Sequence, residues 1–140
     1  MPTISNRVVN PLSGGVAFED IAVVDVRVEP ATPMDTYRFQ FVLSRVPERF
    51  WPECFASAYN QKTGLRRIEL TEAVLQLMLP EAEAETYVDA VRQTVGRANA
   101  DYRAEMARRA AEQQQRLDGE RQRQARAEDL RRKAKWALGI

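Results

Sequence analysis

The chain has 140 residues, 44% of them hydrophobic, and this is enough for one domain whose core folds unaided. Its 21 Lys and Arg nearly balance its 20 Asp and Glu, so the formal net charge is +1. The chain contains no histidine and one cysteine, which excludes Ser-His-Asp and Cys-His catalysis, histidine-ligated metal sites and an intrachain disulfide.

The charge is unevenly distributed along the chain. Residues 1–100 carry 10 Lys and Arg against 13 Asp and Glu, whereas residues 101–140 carry 11 against 7. An acidic part followed by a basic part is typical of a globular body with an attached interaction segment. The chain is therefore predicted to comprise an N-terminal loop segment (1–17), an α+β domain (18–102) and a charged helical arm with an apolar tip (103–140), which we call the C-terminal arm.

The apolar residues form no segment that predicts targeting or membrane insertion. The first residues lack the apolar stretch and small-residue cleavage site of a secretory signal. No run approaches the roughly 18 apolar residues that a bilayer-spanning helix requires. We therefore expect a cytoplasmic protein without a membrane partner.

The first elements in chain order are a loop and a strand. Turn-forming Asn-Pro and Ser-Gly-Gly sequences predict that residues 1–17 are weakly structured. Residues 20–29 then alternate between apolar and charged side chains, which predicts a strand. The apolar face contains Ala22, Val24, Val26 and Val28, and the charged face contains Asp25, Arg27 and Glu29.

Residues 36–60 are predicted to be the centre of the core. Their first half alternates strictly, with Tyr37, Phe39, Phe41 and Leu43 on one face, as in a strand. Their second half repeats every four residues, which predicts a turn at 47–51 and an amphipathic helix from about Pro52. This helix contains the only cysteine, Cys54, which we interpret as a small buried hydrophobe, and Trp51 is favoured as a core residue over a partner anchor.

Two short apolar runs follow, at residues 65–70 and 74–79, and three residues separate them. Their alternation predicts a second hairpin. The alternative is a short helix at 71–79 with Thr71 as its N-cap, because runs this short cannot be assigned from periodicity alone.

A long helix is predicted after Pro80. Three glutamates, Glu81, Glu83 and Glu85, suit its positive N-terminal end, and we interpret them as solvated rather than as a metal or acid–base site. The predicted apolar face contains Val88, Val91, Val95, Ala98 and Tyr102, and it fades after Met106. The order ββαββα predicts an α+β two-layer sandwich, a four-stranded antiparallel sheet with two helices on one face, and a long C-terminal helix that projects beyond it.

The C-terminal arm is rich in Ala, Gln, Arg and oppositely charged pairs, which favour helix. The pairs four residues apart are Glu105–Arg109, Glu112–Arg116, Glu128–Arg132 and Asp129–Lys133. Asp118-Gly119 is the position at which the helix is most prone to break. Three interpretations remain open: a solvated tail, a helix that binds a partner protein or another copy, and an Arg-rich contact with nucleic acid.

The sequence favours the protein-binding interpretation. A sustained heptad seam is absent, which weakens the coiled-coil version, and interspersed acids weaken the nucleic-acid version. Apolar residues at the end of a polar arm favour docking on another protein, with nearby cations orienting the approach. The predicted contact residues are Trp136, Leu138 and Ile140, which we call the apolar tip, together with Arg131, Arg132, Lys133 and Lys135.

The expected function is therefore a non-enzymatic interaction or assembly module, an adaptor or oligomer, that works through residues 103–140. The alternative is a nucleic-acid-associated protein that uses the basic part of the C-terminal arm. The sequence predicts no cofactor, no metal site, no catalytic residue and no small-molecule substrate.

Overall fold

The elements of the fold are the strands and helices that most of the residue periodicities predict. The computed structural model describes residues 9–10, 15–16, 18–62 and 64–140. The strands it describes are β1 (Val9–Asn10), β2 (Gly15–Val16), β3 (Val23–Pro30), β4 (Thr36–Leu43), β5 (Glu69–Thr71) and β6 (Val74–Pro80). The helices are α1 (Trp51–Asn60) and α2 (Ala84–Leu138), and a 3₁₀ turn at Glu81–Glu83 precedes α2.

The described residues group into two compact units. One unit is Phe18–Ala104, and the other contains Glu105–Ile140 and the β1–β2 ladder. This ladder pairs Val9 with Val16 and Asn10 with Gly15, antiparallel, within the segment that was predicted to be a loop. The other residues of 1–17, apart from these four, lie outside the described part of the chain.

The larger unit contains a four-stranded antiparallel sheet in the order β3–β4–β6–β5. With α1 and α2 it gives the α+β arrangement ββαββα that the sequence predicts. The uncertainty at 71–79 is resolved as a hairpin, because Leu70 pairs with Leu75 and Thr71 pairs with Val74.

The predicted strand at 65–70 is mostly wrong, since β5 begins only at Glu69. The reason lies in the peptide groups of Arg66. Its N–H donates to the Tyr87 hydroxyl at 2.8 Å, and its C=O accepts from the Tyr59 hydroxyl at 2.6 Å. These backbone groups therefore bond to tyrosines of α1 and α2 instead of to a neighbouring strand.

The core lies where the inner face of the sheet meets the two helices. The buried residues of β4 and β6 are Phe39, Phe41, Leu43, Leu75, Leu77 and Leu79. The helix α1 adds a stack in which the Trp51 and Phe55 ring centroids are 5.6 Å apart and those of Phe55 and Tyr59 are 5.9 Å apart. The aromatic-rich segment 36–60 is thus the centre of the core, as predicted.

The structure tests the predicted burial of two α1 residues, Trp51 and Cys54. Trp51 is 0% exposed, so the prediction of a core residue is confirmed and a surface anchor is excluded. Cys54 is half-buried, and hence less buried than predicted.

The predicted buried face of α2 is only partly correct. Val91, Val95, Ala98 and Tyr102 are buried, but Val88 is exposed. Tyr87 is buried instead, one residue or about 100° around the helix from Val88. The polar residues Thr94 and Asn99 also lie on this face, and periodicity of apolar residues could not identify them. The helix continues through Asp118-Gly119 without a break, over 55 residues or about 80 Å.

The first strand of the sheet, β3, is exposed along its whole length. The register places Glu29 opposite Arg38, and these side chains form an ion pair at 3.5 Å. Gln40 lies opposite Arg27 and donates to Gln76 at 2.9 Å. An irregularity between Val23 and Asp25 shifts the register by one residue.

One buried side chain connects three parts of the larger unit. Asn99 of α2 is 4% exposed, and its Oδ1 accepts from the Trp51 Nε1–H at 2.9 Å and from the Ile21 N–H at 3.1 Å. Its Nδ2 donates to the Ile21 C=O at 2.9 Å. The amide therefore joins the segment that leads into β3 to both helices.

We predict that Asn99→Ala lowers the free energy of unfolding by about 3 kcal/mol, because each of the three groups left unpaired costs about 1–3 kcal/mol when buried. Urea denaturation followed by far-UV circular dichroism measures the change. The exposed α2 variant Gln93→Ala serves as the control and should stay within about 0.5 kcal/mol of the parent. Equal stability of the two variants would show that the Asn99 amide does not hold the unit together.

Candidate functional site

A pocket lies beside α1 in the described part of the chain. It has a volume of about 480 Å³, and Phe55, Ile68 and Leu75 contribute apolar surface to it. Three of its polar side chains, those of Tyr59, Lys62 and Arg66, bond within the protein. The Arg66 guanidinium binds the Glu83 carboxylate at 2.8 and 2.9 Å, and this hydrogen bond holds the pKa of Glu83 below its usual value.

The tyrosine in this pocket is also fixed in one protonation state. Burial, with a smaller effect of Tyr87, raises the pKa of Tyr59 to about 12, so its hydroxyl remains a donor at neutral pH. A general base needs a pKa near the working pH, and Tyr59 is far from it. Tyr59 is therefore not matched to the role of a general base at neutral pH.

The residues predicted to contact a partner lie in the last turns of α2. Trp136, Leu138 and Ile140 are 88%, 72% and 79% exposed, so the structure leaves all three large side chains uncovered. Trp136 and Leu138 are two residues apart on the helix and point to different sides of it, and Ile140 follows the helix end. Among these residue types, tryptophan is the one enriched at binding hot spots. The apolar tip is thus the principal candidate for a functional site in the C-terminal arm.

The backbone holds the apolar tip in a defined conformation. Gly139 has φ +73° and its N–H donates to the Trp136 C=O at 3.2 Å, while the Ile140 N–H donates to the Lys135 C=O at 3.1 Å. These two bonds form a Schellman motif, which requires a left-handed residue such as glycine after the helix end. The motif places Ile140 at a fixed position relative to the last turn of α2.

The predicted basic contact residues have a different environment. Arg131 binds Glu128 at 3.0 Å, and Asp129 binds both Arg132 at 3.2 Å and Lys133 at 3.3 Å. All these pairs are exposed and contribute little stability, about 0.3–0.5 kcal/mol each. Lys135 has no ion pair among the described residues.

The predicted spacing of the ion pairs is correct for two of four. Glu105–Arg109 and Asp129–Lys133 form at four residues apart. The other two predictions are wrong: Glu128 binds Arg131 rather than Arg132, and Glu112 binds Arg108 rather than Arg116. On a helix, residues three and four apart are both neighbours, so sequence spacing alone does not select between them.

A second charge cluster lies at the start of the arm's own compact unit. Glu105 accepts from Arg108 at 2.5 Å and from Arg109 at 2.8 Å. Hydrogen bonds from Arg108 and then Arg109 lower the pKa of Glu105 to about 2. The cluster stabilises the helix locally and leaves the charges of this region mutually compensated.

Two exposed apolar features were not identified as sites from the sequence. Leu130 is exposed on α2, where a single leucine among charged residues gave no distinct signal. The valines of β3 were assigned to a strand face without any indication that this face would be uncovered. Edge position is a property of the sheet order, and alternation within one strand does not report it.

We predict that the two tryptophans respond oppositely to an aqueous quencher. Trp136 is 88% exposed and Trp51 is 0% exposed, so iodide should quench one fluorescence component and leave the other protected. Trp136→Phe should remove the quenchable component, and unfolding in urea should make Trp51 quenchable too. A protected Trp136 in the isolated chain would mean that the apolar tip is covered.

We predict that the Glu105 carboxyl titrates well below its ordinary pKa of 4.5. Because the folded-state pKa is depressed, the stabilisation is present above pH 4.5 and is lost as the pH falls towards about 2. Carbon-13 NMR of the side-chain carboxyl measures the titration. The double variant Arg108→Ala/Arg109→Ala should return the pKa towards 4.5, and an unchanged value would exclude these arginines as the cause.

No protein-family model matches the chain, and neither a curated protein nor a solved structure shows significant similarity to it. Within residues 18–62 and 64–140, no helix combines the length and the apolar character needed to cross a membrane. The same part of the chain contains no group of three or more metal-ligating side chains that converge. What the chain binds must therefore be inferred from its own exposed side chains.

Proposed function

We propose that the protein is a non-enzymatic interaction module that binds a protein partner, or another copy of itself, through the apolar tip of its C-terminal arm. The observation that carries the proposal is the exposure of Trp136, Leu138 and Ile140 in a backbone conformation fixed by the Schellman motif. A helix that presents apolar anchors to a groove is a common mode of protein recognition.

The size of the apolar tip sets the expected strength of binding. Full burial of one large apolar side chain contributes about 1.5–3 kcal/mol, so three contribute about 5–9 kcal/mol. Association itself costs at least about 4 kcal/mol, and a dissociation constant of 1 µM requires about 8 kcal/mol. The apolar tip alone therefore supports weak, reversible binding, and a tight complex needs additional contacts along α2.

The ion pairs favour protein binding over nucleic-acid binding. Arg131, Arg132 and Lys133 already bind acidic side chains of the same helix, which would lie close to the phosphates. The alternative retains one point in its favour. In the part of the chain that the structure describes, neither Arg123 nor Arg126 forms an ion pair.

We predict that the variant Trp136→Ala/Leu138→Ala/Ile140→Ala loses partner binding without losing stability. All three side chains are largely exposed, so their removal should change the free energy of unfolding by less than about 0.5 kcal/mol. Quantitative affinity capture from extracts of the source cells should enrich the same proteins with the parent chain and with the matched control Leu117→Ala, but not with the triple variant. Sedimentation velocity of each chain alone tests whether the partner is another copy.

Two further measurements separate this proposal from its alternative. A chain cut after Lys133 lacks the apolar tip but retains Arg121, Arg123, Arg126, Arg131 and Arg132. If this chain still binds duplex DNA or RNA, and the binding weakens steeply as salt rises, nucleic acid is the partner. Equal capture of proteins by the parent and by the triple variant would contradict the proposed function.

A further inference from the structure

Among the described residues, β4 is the only strand that pairs with β3, and the apolar side chains of β3 are exposed. Val26 and Val28 lie opposite Phe41 and Phe39, and therefore on the same face of the sheet as these core residues. Phe41 and Phe39 are 3% and 7% exposed, whereas Val26 and Val28 are 46% and 50% exposed. The helices thus cover the inner face at β4 but leave it open at β3.

The backbone of β3 also directs hydrogen-bonding groups away from β4 along this edge. The Val26 N–H donates to the side chain of Asp25 at 2.9 Å, so it does not bond to β4. Just after β3, the Ala31 N–H donates to the Thr36 C=O at 2.9 Å. From Asp25 onwards, the odd-numbered residues of β3 are in phase with Ala31, so they direct their backbone groups to β4. Because backbone direction alternates along a strand, Val26 and Val28 direct their N–H and C=O groups to the open edge.

The charged residues beside these valines can face residues of opposite charge when two copies of β3 pair antiparallel. Asp25, Arg27 and Glu29 alternate in sign along the other face of β3, and no ion pair joins Arg27 to another described residue. If two β3 strands pair about a two-fold axis at Val26, each Asp25 lies opposite an Arg27. If the axis is at Val28, each Arg27 lies opposite a Glu29.

The remaining register that matches the outward backbone groups is disfavoured. An axis at Arg27 would place the two Arg27 side chains opposite each other and Asp25 opposite Glu29. Like charges directly across two strands are destabilising, and opposite charges are stabilising. Charge therefore favours two of the three registers. With the axis at Val26 the two Val26 residues exchange backbone hydrogen bonds, and with the axis at Val28 the two Val28 residues do, while Val26 then faces Pro30, which accepts but has no N–H to donate.

We propose that β3 pairs antiparallel with β3 of a second copy, which joins two four-stranded sheets into one continuous sheet with Arg27 opposite an acidic residue of the second copy. The same pairing brings the exposed Val26 and Val28 of both copies together on the inner face and removes the open edge. This surface is separate from the apolar tip, so the proposal goes beyond the proposed function and does not depend on it.

The ends of β3 limit the paired length to a few residues. The irregularity at Val23/Asp25 bounds the regular strand on one side, and Pro30, which has no N–H, ends it on the other. In forming the pair, the Val26 N–H exchanges the Asp25 carboxylate for a carbonyl of the second copy. A short ladder with one such exchange is expected to give a reversible dimer whose population depends on concentration.

The test is sedimentation velocity of the full chain over the micromolar range. The parent should approach twice the 16.0 kDa chain mass as concentration rises. Arg27→Glu places an acid opposite an acid in either favoured register, so the dimer should weaken by about tenfold or more. Because Arg27 is exposed, the circular dichroism spectrum and thermal midpoint of the Arg27→Glu variant should match those of the parent.

Two charge swaps identify the register and guard against a nonspecific effect of Arg27→Glu. Asp25→Arg/Arg27→Asp should restore the dimer only if the axis is at Val26. Arg27→Glu/Glu29→Arg should restore it only if the axis is at Val28. Residue-resolved hydrogen exchange should show the Val28 amide protected in the dimer and unprotected in Arg27→Glu.

The proposal is overturned if the parent remains a monomer throughout this range, or if neither charge swap restores a dimer that Arg27→Glu has weakened. It is also overturned if the chain cut after Lys133 becomes monomeric while Arg27→Glu stays dimeric, because association would then proceed through the apolar tip. A chain that dimerises through β3 but captures no protein through the apolar tip would support this inference and contradict the proposed function.

Discussion

The larger unit depends on one buried amide. Asn99 is bonded to the indole of Trp51 and to both backbone groups of Ile21, so a single α2 side chain fixes where α1 begins and where the chain enters β3. An apolar side chain of similar size could fill the same space, but it would not specify these partners. Among the described residues, no buried side-chain nitrogen or oxygen lacks a hydrogen-bond partner, so this polar contact is fully satisfied.

The sequence predicts the elements whose residues alternate or repeat strongly. The aromatic strand β4 and the helix α1 follow from the spacing of Phe and Trp, whereas the short runs of β5 and β6 left a helix possible and the start of β5 was predicted too early. The sequence does not predict which apolar faces another element of the fold covers. Val26 and Val88 fit apolar faces equally well on paper, yet both are exposed, because coverage depends on where a helix lies across the sheet and not on the period of one element. The sequence does not identify Asn99 as a buried residue for a related reason, since a polar residue on an apolar face gives no periodic signal.

The candidate site was predictable to a similar depth. The apolar tip stands out in the sequence because its three large side chains follow a long polar stretch. The structure leaves these side chains exposed, and their contact with a partner stays a prediction. The roles of the neighbouring cations were less accessible. Whether Glu128 binds Arg131 or Arg132 depends on rotamers, and the free energies of the two exposed choices differ very little. Sequence therefore locates the charged surface but does not assign its pairs.

The peptide groups of Arg66 have a consequence for how this chain tolerates change. The Tyr87 hydroxyl accepts from the N–H of residue 66, and the Tyr59 hydroxyl donates to the C=O of residue 66. This anchoring does not depend on the side chain that residue 66 carries. Such a position is closed to proline, which has no N–H to offer Tyr87, whereas other residues keep both backbone bonds and lose only the partly exposed contact with Glu83. In a saturation library, loss of function or stability at residue 66 only with proline would show that the backbone groups alone provide this anchoring.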